Sequence, residues 1–213
     1  MTNISISEII IIISVYFSST IPWALIIGKI RLKDDIRNYG DNNPGTVNVF
    51  RAGSILWGFI SAFLEISKSA IPIIVAIQIF DISEITMLAC VLTALLGHGY
   101  SPLLNFKGGK SLAVTAGSWL AITGGEAFYI IAPSLLIMKI IQKNDALTST
   151  IGFASLFFYI LIRNPTTFST ESLLIGILLN LIFIIFKHRN DYVLKINFRS
   201  FRFFTYYLFI FNL

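Results

Sequence analysis

Charge is scarce in this chain. Only 13% of its 213 residues are Asp, Glu, Lys or Arg, 55% are hydrophobic, and mean hydropathy is +0.79. A soluble domain of this length could not hide so much apolar surface, so hydrocarbon is the natural solvent for these side chains. There is one cysteine, Cys90, within an apolar segment, which excludes an internal disulfide. The only histidines are His98 and His188, with no Cys/His cluster and no pair at helical ligand spacing, so no metal centre and no cofactor are expected. No Lys or Arg precedes the run Ile9 to Ile27 and no small-residue cleavage site follows it. That run is expected to be a retained first span and not a secretory leader. Internal repeats, low-complexity segments and interdomain linkers are also absent.

What is present is a series of apolar runs: 6–28, 55–80, 84–104, 111–124, 126–142, 146–162 and 171–187. A membrane helix needs about 20 apolar residues, and only helices close their own backbone hydrogen bonds in lipid. The expected fold is therefore all-α, a polytopic membrane helix bundle of about seven spans. The fourth run is short, and a six-span reading would fuse it with the fifth across Gly124-Gly125. The positive charges separate the two readings. With seven spans and the N-terminus outside, Lys29, Arg31, Lys33, Arg37, Arg51, Lys107, Lys110, Lys139, Lys143, Lys187, Arg189, Lys195, Arg199 and Arg202 all fall inside. Only Arg163 falls outside, and Lys68 lies within a span. Fourteen of the 16 basic residues on one face satisfy the positive-inside rule, and fusing the two runs would move the last cluster to the opposite side. A multi-pass protein of the cell membrane with a cytoplasmic C-terminus is expected. Residues 1–197 form one transmembrane domain, and 198–213 form an interfacial tail in which Arg199 and Arg202 alternate with aromatic residues. The net charge of +5 suits membrane lipid headgroups and phosphate-bearing substrates, and nothing requires nucleic acid.

Three loops carry chemistry, all on the expected cytoplasmic face. The first runs from Asp35 to Arg51 and holds Gly40, Asn42, Asn43, Pro44, Gly45 and Asn48, a sharply turning backbone flanked by the charges of Arg37 and Arg51. An ordinary polar turn is the plainer reading of those residues alone. The second reads Phe106-Lys107-Gly108-Gly109-Lys110-Ser111 and opens into the fourth run. Glycines that let the backbone approach closely, free N–H groups at a helix start and the Lys110 charge together suit a phosphate. It lacks the upstream glycine of a nucleotide-binding loop, and snorkelling lysines are the plainer alternative. The third is Lys187-His188-Arg189-Asn190-Asp191, where the histidine could equally be a helix cap. Within the second run, Glu65 and Lys68 stand three residues apart on one helix face, either as a functional pair or as a structural one.

Together these residues resemble the PlsY family of bacterial membrane enzymes, which transfer an acyl chain from acyl phosphate to glycerol 3-phosphate. The likeness runs from Ile21-Pro22 and Gly28-Lys29 through Asp35-Ile36-Arg37, Asn43-Pro44-Gly45, Asn48, Arg51 and Lys68. It continues in Gly97-His98, Pro102 and Phe106-Lys107-Gly108-Gly109-Lys110, and ends at His188-Arg189. It implies a phospholipid-synthesising acyltransferase whose partners are acyl phosphate and glycerol 3-phosphate. On that basis Lys110, Arg51 and His188 are the expected catalytic residues. Asn43, Gly45, Asn48, Lys68, Lys107, Gly108 and Gly109 are expected to bind substrate or its phosphate.

The chain departs from the family pattern inside these motifs. Gly-Ser-Gly-Asn-x-Gly-Ala-Thr-Asn is replaced by a stretch with Asp41 in place of serine and Val47 in place of threonine; Gly-Gly-Lys-Gly becomes Gly-Gly-Lys-Ser at Ser111; and His-x-x-Asn ends on Asp191. Carboxylates cannot donate hydrogen bonds to phosphate, and Asp41 and Asp191 would repel it unless protonated, paired with Arg51 or Lys110, or turned to another acceptor. Weak glycerol-3-phosphate acylation, a different acceptor, or no catalysis are therefore the alternatives within the family. The chain has no Gly-x-Ser-x-Gly elbow, and the residues five beyond His98 and His188 are Leu103 and Val193 rather than aspartate, which disfavours a serine nucleophile or a soluble-type acyltransferase site. Transport is disfavoured by the lack of an inverted repeat.

Overall fold

A computed structural model describes residues 4–163 and 167–192; within them the structure is helical, with loops and short 3-10 and π turns. The helices are α1 (Ile6–Thr20), α2 (Trp23–Ile27), α3 (Thr46–Arg51), α4 (Ile55–Phe80), α5 (Glu84–Gly99), α6 (Leu112–Ile122), α7 (Glu126–Ile141), α8 (Asp145–Arg163) and α9 (Thr170–Lys187). The aromatic tail, with Lys195, Arg199 and Arg202, lies outside the described residues.

The seven apolar runs reappear as seven helical segments, the first and the third of them interrupted, the third after Gly99 and before a 3-10 turn at Pro102–Leu104. The first run stops at Thr20, turns at Pro22, resumes as α2 and ends in a π turn over Gly28–Leu32. Proline cannot donate to the helix ladder, which explains the interruption. Gly124 (φ 59°) and Gly125 (φ 95°) separate α6 from α7 in the left-handed region, so the fourth and fifth runs are distinct helices. Five segments are long and apolar enough to cross a bilayer: Ile6–Leu32, Ile55–Phe80, Glu84–Leu104, Asp145–Arg163 and Thr170–Lys187. By contrast α6, with 11 residues, rises only about 16 Å, as the shortness of the fourth run leads one to expect.

The far end of the bundle, away from the motif loops, is tied by carboxylates. Glu8 closes a capping box with Ser5 at the start of α1 and also accepts from the Ser83 backbone (3.1 Å) and the Thr86 hydroxyl (2.8 Å) at the start of α5. Glu84 accepts from the backbone and hydroxyl of Ser169, both at 2.8 Å, before α9. Glu126 holds Tyr159 and lies 3.6 Å from Arg163 at the end of α8. Each carboxylate satisfies donors that a helix start leaves unpaired or fixes a neighbouring helix end.

One apolar core joins α1, α4, α5, α6, α8 and α9 through Val15, Ile73, Met87, Leu95, Trp119, Leu156, Leu173 and Ile177. Helix α6 lies directly on α4: a methyl group on Gly117 would fall 2.2 Å from the Ile66 carbonyl, and Ser69 Oγ donates to the Val114 carbonyl at 2.9 Å. This contact fixes the start of α6, and with it Lys110, relative to the first loop.

Candidate active site

The three motif loops meet at one end of the bundle. Asp41 is the centre of the meeting point. Its carboxylate lies 2.5 Å from Lys110 Nζ and 3.5 Å from Arg51 Nη1, and it accepts from Asn48 Nδ2 at 3.1 Å. Lys110 also reaches Asp191 at 3.1 Å, and Asp191 Oδ2 lies 3.2 Å from His188 Nδ1. Arg51 donates to Asn48 Oδ1 at 3.0 Å and approaches Asp145 at 3.6 Å. Asp145 in turn pairs with Lys139. Lys110, Arg51, Asn48 and His188 thus come together, accompanied by three carboxylates.

Local chain geometry explains each placement. Asn48 is buried on the short helix α3, where its amide donates to the Asn43 carbonyl at 2.8 Å and so ties the loop to the helix that carries Arg51. Gly40 has φ 57°, and a methyl group there would fall 2.0 Å from Arg51 Nη1; this glycine lets the guanidinium lie across the loop. Gly45 packs against the Asn43 side chain. Val47 is exposed, and among the residues matched to the motif it has no polar contact to offer.

The glycine pair packs against the end of α5. A methyl group on Gly108 would sit 2.0 Å from the His98 carbonyl, one on Gly109 2.3 Å from His98 Nε2, and the Gly109 N–H donates to the His98 carbonyl at 3.1 Å. The close approach is to the end of α5, and the Gly109 N–H is already engaged. Ser111 stands at φ 62° with its hydroxyl donating to Leu95, so it does not cap α6. Lys107 is exposed and stays outside the Lys110 cluster.

Lys68 belongs to a buried cluster within the bundle. Its ammonium contacts Glu65 Oε2 (2.6 Å), the Ile21 carbonyl (2.7 Å) and His98 Nδ1 (2.9 Å), and Glu65 accepts from the Ala24 backbone at 2.9 Å. An ammonium has three protons to donate. With the Glu65 carboxylate, the Ile21 carbonyl and the His98 ring all within contact distance, Lys68 links α4 to the end of α1 and to α5. Sequence reasoning missed Asp145, whose signal is only an acidic residue in a helix first turn, and the linkage of Glu65 to His98 at 3.3 Å.

The electrostatics of the cluster follow from partial burial. Burial works to raise the Asp41 pKa, but Lys110 and the Asn43 and Asn48 donors hold it below the ordinary aspartate value. Burial likewise opposes the charge on Lys110, yet Asp41 and Asp191 raise its pKa. His188 is 1% exposed; burial first and the Lys110 charge second lower its pKa, against the opposing pull of Asp191 and Asp41. A base whose pKa falls on folding contributes stability that is complete above the unfolded value, about 6.5, and is lost as pH falls through the folded value. Asp41 titrates at lower pH and Lys110 at higher pH. The thermal midpoint in detergent is therefore expected to fall between pH 7 and pH 5, with a flatter profile in His188→Gln, which separates His188 from His98. An unaltered slope in that variant would overturn the assignment.

Comparison with known proteins places this arrangement. The model of the family described as glycerol-3-phosphate acyltransferase matches residues 9–196. Glycerol-3-phosphate acyltransferase 1 of Thermotoga maritima is 31% identical, over 68% of this chain and 76% of its own. Glycerol-3-phosphate acyltransferase 2 of Bacillus anthracis is 33% identical, over 86% of this chain and 93% of its own. The crystal structure of PlsY, an integral membrane glycerol 3-phosphate acyltransferase, in its glycerol 3-phosphate form superposes with a TM-score of 0.76 at 27% identity, covering 87% of this chain and 90% of that one.

Proposed function

This chain belongs to the glycerol-3-phosphate acyltransferase family, and from that membership we propose that it acylates glycerol 3-phosphate from acyl phosphate at the Lys110–Arg51–His188 cluster, forming lysophosphatidic acid. The observation that carries the site assignment is the convergence of these three side chains, from separate motif loops, at one end of the bundle.

In the proposed reaction the acceptor hydroxyl oxygen attacks the carbonyl carbon of the mixed anhydride. The carbon–oxygen bond to phosphate breaks, the leaving group departs as inorganic phosphate, and the hydroxyl proton ends on that phosphate. No acyl-enzyme is required, because phosphate is already a good leaving group. The protein contributes position and positive charge. Lys110 and Arg51 face phosphate oxygens, His188 orients the acceptor, and Asn43 and Asn48 shape the first loop. Lys68, Gly108 and Gly109 act indirectly, by setting the height of the second loop through His98.

The seven segments alternate in direction, since the starts of α1, α5, α7 and α9 share the carboxylate-tied end while Lys110 and Asp145 begin α6 and α8 at the other. That alternation supports seven passages of the membrane, with α6 and the loop before it together forming the shortest. The basic residues gather at the site end, which supports a cytoplasmic active site and an external N-terminus.

Purified protein in detergent, given acyl phosphate and glycerol 3-phosphate, is expected to release phosphate and form lysophosphatidic acid in equal amounts. No product with any acyl chain length would overturn the reading for this acceptor.

A further inference from the structure

Resting on the phosphate-binding reading of the Lys110–Arg51 cluster, we propose that Asp41 is a built-in anion: its carboxylate occupies the donor set that an incoming phosphate would use, so phosphate binds only by displacing it. The geometry carries this. One carboxylate simultaneously meets Lys110 Nζ (2.5 Å), Arg51 Nη1 (3.5 Å), Asn48 Nδ2 (3.1 Å) and the Asn43 backbone N–H (3.4 Å). Those are two cations, an amide and a backbone donor, the set that suits phosphate oxygens.

The charges of the cluster cancel. Lys110, Arg51 and Lys139 are matched by Asp41, Asp191 and Asp145. A phosphate dianion entering this arrangement gains little attraction until a carboxylate moves aside. Asp41 can move: it belongs to a loop, between Gly40 and Asn42, both at positive φ, and its side chain is 35% exposed. Asp191 meets Lys110 and His188, and Asp145 meets Arg51 from another helix, so each shares one of the two cations while Asp41 alone meets both together with the Asn48 and Asn43 donors. Asp41 is thus a specificity-determining residue. It weakens the site for phosphate and narrows the advantage of a phosphorylated acceptor over a neutral hydroxyl acceptor.

The test is Asp41→Asn, which keeps the shape and an accepting oxygen while removing the charge, with Asp41→Ser as a second variant should the amide fail to yield monodisperse protein. Inorganic phosphate binding is measured by calorimetry on the intact protein in detergent, and turnover with acyl phosphate and glycerol 3-phosphate is measured in parallel. The variant is expected to bind phosphate about tenfold tighter or more, because removing a like charge from the site removes direct repulsion. The same factor should appear as a lower KM for glycerol 3-phosphate, with the gain in KM and not in kcat. Equal or weaker phosphate binding in both variants overturns the proposal, as does a gain confined to kcat. Tighter phosphate binding with no acyl transfer by any form upholds the built-in anion and overturns the acylation reading instead.

Discussion

Lys110→Ala is expected to lower kcat/KM for acyl transfer by about 10²–10³-fold, the scale associated with removing one preorganised charge from a developing anion. Lys110 is the cation held between Asp41 and Asp191 and half-sheltered from water, with a side chain 17% exposed. Partial burial makes its charge count for more than a surface lysine would. The loss should fall mainly on kcat if Lys110 stabilises the departing phosphate, and on KM if it only recruits substrate. Lys110→Arg should recover little, since a planar fork cannot replace a compact ammonium between two carboxylates. Because the alanine variant leaves Asp41 and Asp191 facing each other without their shared partner, the thermal midpoint must be measured alongside. A change in kcat/KM below threefold with the fold intact would remove Lys110 from the mechanism.

Glu65→Gln is expected to be the most destabilising single change among the buried polar positions. Glu65 is 1% exposed and joins Lys68, His98 and the Ala24 backbone, so its loss strands an ammonium whose side chain is 2% exposed. Breaking one side of a buried ion pair costs about 3–5 kcal/mol. For a chain of this size that corresponds to a fall in thermal midpoint of roughly 6–20 °C. Replacing both members, as in Glu65→Leu with Lys68→Met, should restore much of the loss, because no charge is then left unpaired. A fall of less than about 2 °C for Glu65→Gln alone would show that the pair is not a brace.

The helices were legible in the sequence because lipid demands long apolar runs, and the Gly124-Gly125 break because only glycine accepts consecutive positive φ values so readily. The three polar loops were legible because their glycine, asparagine and basic residues interrupt hydrocarbon. Their assembly around Asp41 was foreshadowed only as a condition: an aspartate beside a phosphate site has to find Arg51 or Lys110, and it finds both. Two sets of contacts were not legible. The Lys68 contacts with the Ile21 carbonyl and the His98 ring bring together residues 47 and 30 positions apart. Gly108 and Gly109 read as a cradle, but local sequence cannot say which surface a close approach serves; here it is His98. Asp145 was hidden for the same reason, since its partner Arg51 lies on a distant helix.

The carboxylates at the end of the bundle opposite Lys110 have a mechanical consequence. Glu8, Glu84 and Glu126 tie α1 to α5, α5 to α9 and α7 to α8, largely through several short contacts to backbone and hydroxyl groups. At the Lys110 end the partly exposed ion pairs of Asp41, Asp145 and Asp191 are accompanied by ties from Lys187 to the Gly99 carbonyl (2.8 Å) and from the buried Ser101 hydroxyl to the Thr20 carbonyl (2.6 Å). The helix starts bound by Glu8 and Glu84 are therefore expected to exchange their amide protons more slowly than the ion-paired first loop around Asp41.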